Sequence, residues 1–227
     1  MAQEHIWDRE YKQPQLLTRE NKPQSDVVRF VKFLKKQKFL FEGKSVLDLG
    51  SGTGRNSFYF TELGASVTSI EISHTAIDMA REYAKADNLQ IKYVHQSMGE
   101  TFPVPDKSVD IVLDITSSNS LTEKEREVYL AETARVLKPD GYFFVKTLCR
   151  DGDDNAKYLL KHSPGTEHDT YVMKEMGLVE RVWSREDFEK YYSQYFKIIS
   201  LEKKTSYSSM NNRSYKRNFW LAYMQLV

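Results

Sequence analysis

The sequence predicts an α/β fold: a doubly wound, mostly parallel seven-stranded sheet with helices on both faces and an antiparallel pair of strands at its C-terminal end. Three observations predict it. Between residues 45 and 148 short apolar runs alternate with stretches of helical periodicity. The first run, Val46-Leu47-Asp48-Leu49, is nearly continuous, as in a strand buried on both faces, and it stops in the glycine-rich turn Gly50-Ser51-Gly52-Thr53-Gly54. Near the end of the chain, Phe196 to Lys203 and Lys216 to Leu226 alternate in the strand manner.

Residues 1 to 24 are polar yet carry Trp7, Tyr11, Pro14 and Pro23, and read as an irregular arm laid over another surface. Ser25-Asp26 opens a helix to about Gln37, with Val27, Phe30, Val31 and Leu34 on one face and lysines on the other, stopped by Gly43. Ser45 to Leu49 is the first strand. Arg55 to Leu63 is a helix ended by Gly64, and Val67 to Ile70 the second strand. Ser73 caps a helix to about Ala86, with Ile77, Ala80 and Ala84 turned inward. Ile91 to Val94 and Val109 to Leu113 are the third and fourth strands, and Asp114 to Ser120 forms the turn after the fourth. Glu123 to Leu137 is a helix stopped by Pro139 and Gly141, and Tyr142 to Leu148 is the fifth strand. The pattern breaks at 150–180, which reads as a long loop insertion on the substrate side. Ser184 then starts a helix to about Tyr192, and a polar segment with Tyr207, Asn211, Asn212 and Arg213 joins the last two strands. Residues 1–43 are thus expected to be an arm and helix covering a site, and 44–227 the domain that holds it.

Composition narrows the function. Lys plus Arg number 33 against 32 for Asp plus Glu, a formal net charge of +1, so no global field draws the chain to nucleic acid or to an anionic membrane. The single cysteine, Cys149, makes no internal disulfide, and the polar start Met1-Ala2-Gln3-Glu4-His5 has neither a signal-peptide core nor transit-peptide arginines. The expected compartment is the cytoplasm. No apolar stretch approaches the ~20 residues of a membrane helix. His162 and His168 lack metal-ligand spacing and cysteine partners, so no metal is expected.

The glycine turn carries the chemistry. A dinucleotide fingerprint needs Gly-x-Gly-x-x-Gly, whereas this chain has Gly50-x-Gly52-x-Gly54, with Arg55 in place of the third glycine. Asp48, just before the turn, suits an ammonium group better than a pyrophosphate. Glu71 ends the second strand about 20 residues beyond Gly50, where a carboxylate accepts both hydroxyls of a ribose. These features favour an adenosine with a cationic amino acid tail.

In these residues the chain resembles the class I S-adenosylmethionine-dependent methyltransferases, a Rossmann-like family, from about residue 44 onward. The resemblance implies S-adenosyl-L-methionine as cofactor and S-adenosyl-L-homocysteine as product. Ligands of open α/β sheets bind beyond the carboxyl ends of the strands. The expected cofactor residues are therefore Asp48, Gly50, Ser51, Gly52, Gly54, Glu71, Ile72, Ser97, Met98, Gly99 and Asp114, with Tyr11 from the arm. Met98 stands where many relatives carry an adenine-binding acid. Methyl transfer from a sulfonium asks mainly for alignment and exclusion of water, and for a base only where the acceptor is protonated. Asp114 is the candidate base; its other reading is a turn residue that caps the helix after Ser120.

The motif from Asp48 to Ser57, the Asp187-Phe188-x-x-Tyr191-Tyr192 helix and the tail Arg217-Asn218-Phe219-Trp220-Leu221-Ala222 are similar to the small tellurite-resistance and thiol/halide-type methyltransferases. That likeness implies a small-molecule acceptor and an arm that closes over the cofactor. Trp7 and Tyr11 would then cover the site, and Lys146, Arg213 and Arg217 would be polar contacts to the substrate. RNA or protein acceptors are disfavoured: Asp114-Ile115-Thr116-Ser117 is not the Asn/Asp-Pro-Pro-aromatic turn of enzymes that methylate base amines, and Cys149 follows Leu148 rather than a proline. The basic clusters at Lys35-Lys36-Gln37-Lys38 and Lys203-Lys204 with Lys216-Arg217 read as solvated faces. A cofactor-binding protein without methyl transfer and an aminopropyl transferase remain as alternatives, the latter opposed by Asp48. The expected assembly is a monomer or a homodimer.

Overall fold

The structure, a computed structural model, describes residues 3–14, 22–210 and 213–227, with side chains at all of these except 208–210 and 213. Strands β1 (Ser45–Leu49), β2 (Ser66–Glu71), β3 (Ile91–His95), β4 (Val109–Ile115), β5 (Leu137–Leu148), β8 (Phe196–Met210) and β9 (Arg213–Leu226) form one sheet in the order β3-β2-β1-β4-β5-β9-β8. β1 to β5 pair in parallel, whereas β9 runs antiparallel to both β5 and β8. The sequence predicts this seven-stranded sheet and its closing antiparallel pair. Helices α2 (Ser25–Lys36), α3 (Arg55–Glu62), α4 (His74–Ala86), α5 (Glu123–Val136) and α7 (Arg185–Tyr192) complete the doubly wound arrangement. Two apolar clusters flank the sheet, one centred on Phe30, Phe60 and Phe144 and the other on Leu49, Tyr129, Phe143 and Trp183. The strand order reverses between β1 and β4, which run parallel, and this opens a crevice at their carboxyl ends.

α2 packs on the sheet itself. Phe30 stacks its ring 5.0 Å from Phe144 and 4.9 Å from Tyr223, and Asp26 pairs with Lys146 at 2.9 Å and with Lys204. The helix ends at Lys36 because Lys38 takes φ +60°, so Gly43 belongs to the turn before β1 rather than to the helix stop.

Several expectations need correction. The arm over residues 1–24 is not irregular where it is described: Glu4–Lys12 forms helix α1, with Ile6 and Glu10 buried one turn apart. Residues 15–21 of that arm lie outside the described residues. The 150–180 segment is not a loop. It contains helix α6 (Asp154–His162) and a hairpin of β6 (Thr170–Met173) with β7 (Leu178–Arg181), elements too short to show a period in sequence. Pro139 and Gly141 do not separate α5 from the fifth strand, because β5 starts at Leu137 and these residues fall where its pairing with β4 shifts register, so proline owes no hydrogen bond there. β4 continues through Asp114 to Ile115. Most of the polar segment before β9 is strand, since β8 and β9 pair from Phe196↔Leu226 out to Met210↔Arg213, beyond the reach of the other strands. A two-stranded ribbon with water on its faces needs no apolar alternation.

α5 carries a complete capping box: the Thr122 hydroxyl accepts from the Glu125 N–H at 3.3 Å and the Glu125 carboxylate accepts from the Thr122 N–H at 2.9 Å. Thr122→Ala is expected to cost about 1 kcal/mol, a fall in Tm of roughly 2–4 °C read by thermal melting. Among the described residues no helix is long and apolar enough to cross a membrane.

Candidate active site

The glycine turn after β1 is shaped by what presses on it. Gly50 and Gly52 have φ of +63° and +58°, the left-handed region open to glycine. A Cβ on Gly50 would collide with the Ser117 side chain, and one on Gly52 would lie 2.5 Å from the Tyr11 hydroxyl. The turn is therefore held between α1 on one side and the segment after β4 on the other. Glu71 ties it down: one carboxylate oxygen accepts from Gly52 N–H and the other from Ser73 N–H, both at 2.8 Å. Burial raises the Glu71 pKa against those backbone bonds.

Asp48 sits at 2% exposure on β1. It accepts from the Ser57 hydroxyl at 2.5 Å, and Ser57 in turn contacts Ser69 at 2.8 Å. Burial pushes its pKa up to about 7; the Ser57 bond and Arg55 oppose the rise, and the charges of Glu71 and Asp114 add to it. Two buried carboxylates thus share one small region. A cationic ligand group would relieve both, whereas a pyrophosphate would meet like charge. The Ser51 hydroxyl, buried and without a partner, is a further group in want of a ligand.

Asp48, Gly50, Ser51, Gly52, Glu71, Ile72, Ser97, Met98, Trp7 and Tyr11 all line one cleft at the carboxyl ends of β1, β2 and β4. The other expected site residues lie elsewhere. Gly54 (φ +89°) caps α3, where a Cβ would meet the Phe58 ring at 2.8 Å, and Gly99 lies against Glu125. Asp114 is fully buried and accepts from Ser117 N–H at 2.9 Å, Ser118 N–H at 3.2 Å and the Tyr129 hydroxyl at 2.8 Å. It ties down the turn that lines the cleft and is not placed to be a base. Lys146 faces α2, paired with Asp26 and 4.6 Å from the Phe219 ring centre. Arg217 donates to the Tyr171 hydroxyl at 2.9 Å and approaches Asp153 at 3.5 Å. The Arg213 side chain lies outside those described.

Other lining residues were not expected. Met79 and Tyr83 present one face of α4 to the cleft at i, i+4 spacing, the same spacing that puts Trp7 and Tyr11 together on α1. Gln96 precedes the expected Ser97-Met98 pair. Thr116, a β-branched residue at φ +67°, holds a conformation such residues rarely adopt, and it does so on the cleft wall. Above the cleft, Gln3 bridges Ser120 and Val179 through its side chain, and Arg9 donates to the Met176 carbonyl at 2.7 Å, so α1 is fastened to the β6–β7 hairpin.

Known proteins share this arrangement. Residues 47–145 match the family described as methyltransferase domain. The ubiquinone biosynthesis O-methyltransferase of Bartonella tribocorum is 30% identical over 135 residues, 57% of this chain and 53% of that protein. The fatty-acid O-methyltransferase of Mycolicibacterium smegmatis is 35% identical over 104 residues, 45% of this chain and 36% of that protein. The chain thus spans about half the length, or less, of the curated relatives it matches. Among solved structures, a SAM-dependent methyltransferase from Methanosarcina mazei superposes with a TM-score of 0.74 at 20% identity over 85% of this chain and 97% of that one. TehB from Haemophilus influenzae does so with a TM-score of 0.68 at 17% identity over 98% of this chain and 67% of that one. At these identities the likeness is one of fold. The glycine turn, the acid at the end of β2 and most of the parallel sheet fall within the stretch that matches the methyltransferase domain, and the closing antiparallel strands follow it.

Proposed function

We propose that this protein transfers a methyl group from S-adenosylmethionine to a nucleophile on a small molecule. The observation that carries the reading is the buried pair Asp48 and Glu71 on either side of the Gly50–Gly52 turn. It supplies negative charge and exposed backbone to an adenosyl ligand that bears positive charge. When bound, S-adenosylmethionine supplies an electrophilic methyl on a sulfonium; the acceptor's lone pair forms the new bond to carbon, the old bonding pair stays on sulfur, and any proton on the acceptor atom leaves to solvent or a base.

The chain's own residues bind, orient and exclude water. Asp48 takes the ammonium end and Glu71 the ribose hydroxyls, while Met79, Tyr83, Ile72 and Met98 enclose the base. Trp7 and Tyr11, on a helix fastened to the hairpin, close the cleft over the reacting atoms. With Asp114 engaged by Tyr129 and two backbone N–H groups, catalysis rests on alignment rather than on that carboxylate. On this reading residues 3–14 act as the cover. The same reading puts the protein in the cytoplasm as a monomer or homodimer, consistent with a lone buried cysteine.

S-adenosylhomocysteine release from S-adenosylmethionine tests this against pooled metabolites, with RNA and peptides in parallel. Turnover with a small-molecule pool is expected. Turnover confined to RNA or peptide would overturn the acceptor class, and no turnover with any pool would favour a binding protein of the same fold.

A further inference from the structure

Arg126, in the first half of α5, and Arg181, the last residue of β7, are 1% and 0% exposed. Arginine stays protonated even when buried, and an unpaired buried charge costs several kcal/mol. Yet Arg181 has no hydrogen-bond partner at any of its three side-chain nitrogens, and Arg126 has one only at Nη2, which donates to the Leu121 carbonyl at 2.6 Å. The two guanidinium groups flank Trp183, with centres 4.3 Å (Arg181) and 5.4 Å (Arg126) from its ring. The Trp183 indole N–H is also buried and unpartnered. The cluster holds unmatched donors and two positive charges.

The neighbouring acids act on it through space, Glu167 on Arg126 and Asp187 on Arg181, but none hydrogen-bonds either guanidinium. Glu167 accepts twice from the Glu123 N–H, Asp187 accepts from the Ser184 hydroxyl, Glu123 accepts from the Tyr191 hydroxyl, and Asp114 is held as described. Burial and the charge of Arg181 lower the Arg126 pKa, and the opposing charge of Glu167 does not offset them.

The cluster adjoins the cleft through one short segment. Ser117, Ser120 and Leu121 line the cleft, while the Leu121 carbonyl binds Arg126 and the Ser118 hydroxyl is buried without a partner. It therefore meets the cleft wall at the turn after β4.

We propose that Arg126 and Arg181, with the Trp183 N–H, form a subsite for an oxyanion, carboxylate or phosphate, carried by the methyl acceptor. Two forked guanidinium groups match the oxygens of such a group, and the indole N–H adds a further donor. The acceptor is then a small acid whose charged end is held beneath the hairpin while its nucleophile points to the cofactor. The assignment rests on reading the cleft as a methyl-transfer site.

Thermal melting of the full chain, saturated with S-adenosylhomocysteine at constant ionic strength, tests it. The probes are formate, inorganic phosphate, benzoate and phenyl phosphate, with benzamide as the neutral control. At least one oxyanion is expected to raise Tm saturably where benzamide does not, and the carboxylate and phosphate arms tell the two sources apart. Arg181→Met is expected to weaken that oxyanion at least tenfold, to keep the shift caused by S-adenosylhomocysteine, and to leave the anion-free protein as stable as before or more so. Failure of every oxyanion, equal stabilisation by benzamide, or an Arg181→Met protein that keeps its oxyanion response would overturn the subsite. A loss of anion-free stability in Arg181→Met would instead mark the arginine as structural and overturn it too. Loss of the S-adenosylhomocysteine shift in the unaltered protein would count against the methyltransferase reading alone.

Discussion

Asp48→Asn is expected to make the free protein more stable above neutral pH and, at the same time, to weaken its hold on S-adenosylhomocysteine. Asp48 is buried and titrates near pH 7 in the folded chain, against an ordinary value of 3.8. Between those two values the folded state holds a proton that the unfolded state has lost, so the contribution of this group to stability falls as pH rises through that window. Below about pH 4 the cost is absent, and above about pH 7 it is fully present. Asparagine is neutral throughout and still accepts from Ser57, so the variant should gain on the order of 2–4 kcal/mol at pH 8 and lose the slope between pH 4 and 7. The charge that destabilises the free protein is the one proposed to receive the ligand's ammonium group. Its removal should reduce affinity by about 10–100-fold, as expected for one charge-assisted hydrogen bond. Urea unfolding at several pH values, with calorimetric titration at pH 8, measures both halves. A variant that is less stable at pH 8, or that binds as tightly as the parent, would contradict the role given to Asp48.

Glu71→Gln, the same exchange of a carboxylate for an amide, should do more damage. Both Glu71 oxygens accept from backbone N–H groups, of Gly52 and Ser73. Glutamine offers one oxygen; its amide nitrogen must face the other N–H as donor against donor. The free protein should lose about 1–3 kcal/mol, and the turn that carries Gly52 should loosen. Affinity for S-adenosylhomocysteine should fall at least about 100-fold, because the ribose loses a charged acceptor and the glycine turn loses its anchor. The Asp48 pKa should fall as well, since the Glu71 charge helps to raise it. The double variant should therefore be non-additive in stability. Calorimetry and urea unfolding of the two single variants and the pair check this, and a Glu71→Gln protein that binds within threefold of the parent would contradict it.

What the sequence reveals and what it conceals follow from the range of the interactions. β1, its glycine turn and Glu71 are legible because their geometry is local: a buried strand, residues free to take positive φ, and a carboxylate at the end of the next strand. α1 was readable too, since Ile6, Trp7, Glu10 and Tyr11 keep helical spacing, but the prolines and polar residues around them obscured it. Lys146 and Arg217 illustrate the opposite limit. Each lies on a strand whose faces are both covered, and which face it takes depends on partners far away in the chain, Asp26 for one and Tyr171 for the other. Asp114 has two readings in the sequence, a base or a cap for the helix after Ser120, and it is placed for neither: Thr122 caps that helix, and Ser117, Ser118 and Tyr129 take the Asp114 oxygens. The Arg126–Arg181 cluster was beyond sequence reading altogether. It exists because a hairpin of two four-residue strands brings β7 against the turn after β4, and strands that short carry no period to announce them.

The cleft's preference for a cationic adenosyl ligand over a dinucleotide is tested most directly by isothermal titration of the unliganded protein with S-adenosylhomocysteine and, separately, with NAD. Binding of one S-adenosylhomocysteine per chain with no heat from NAD is the predicted result. Binding of NAD with no response to S-adenosylhomocysteine would contradict it.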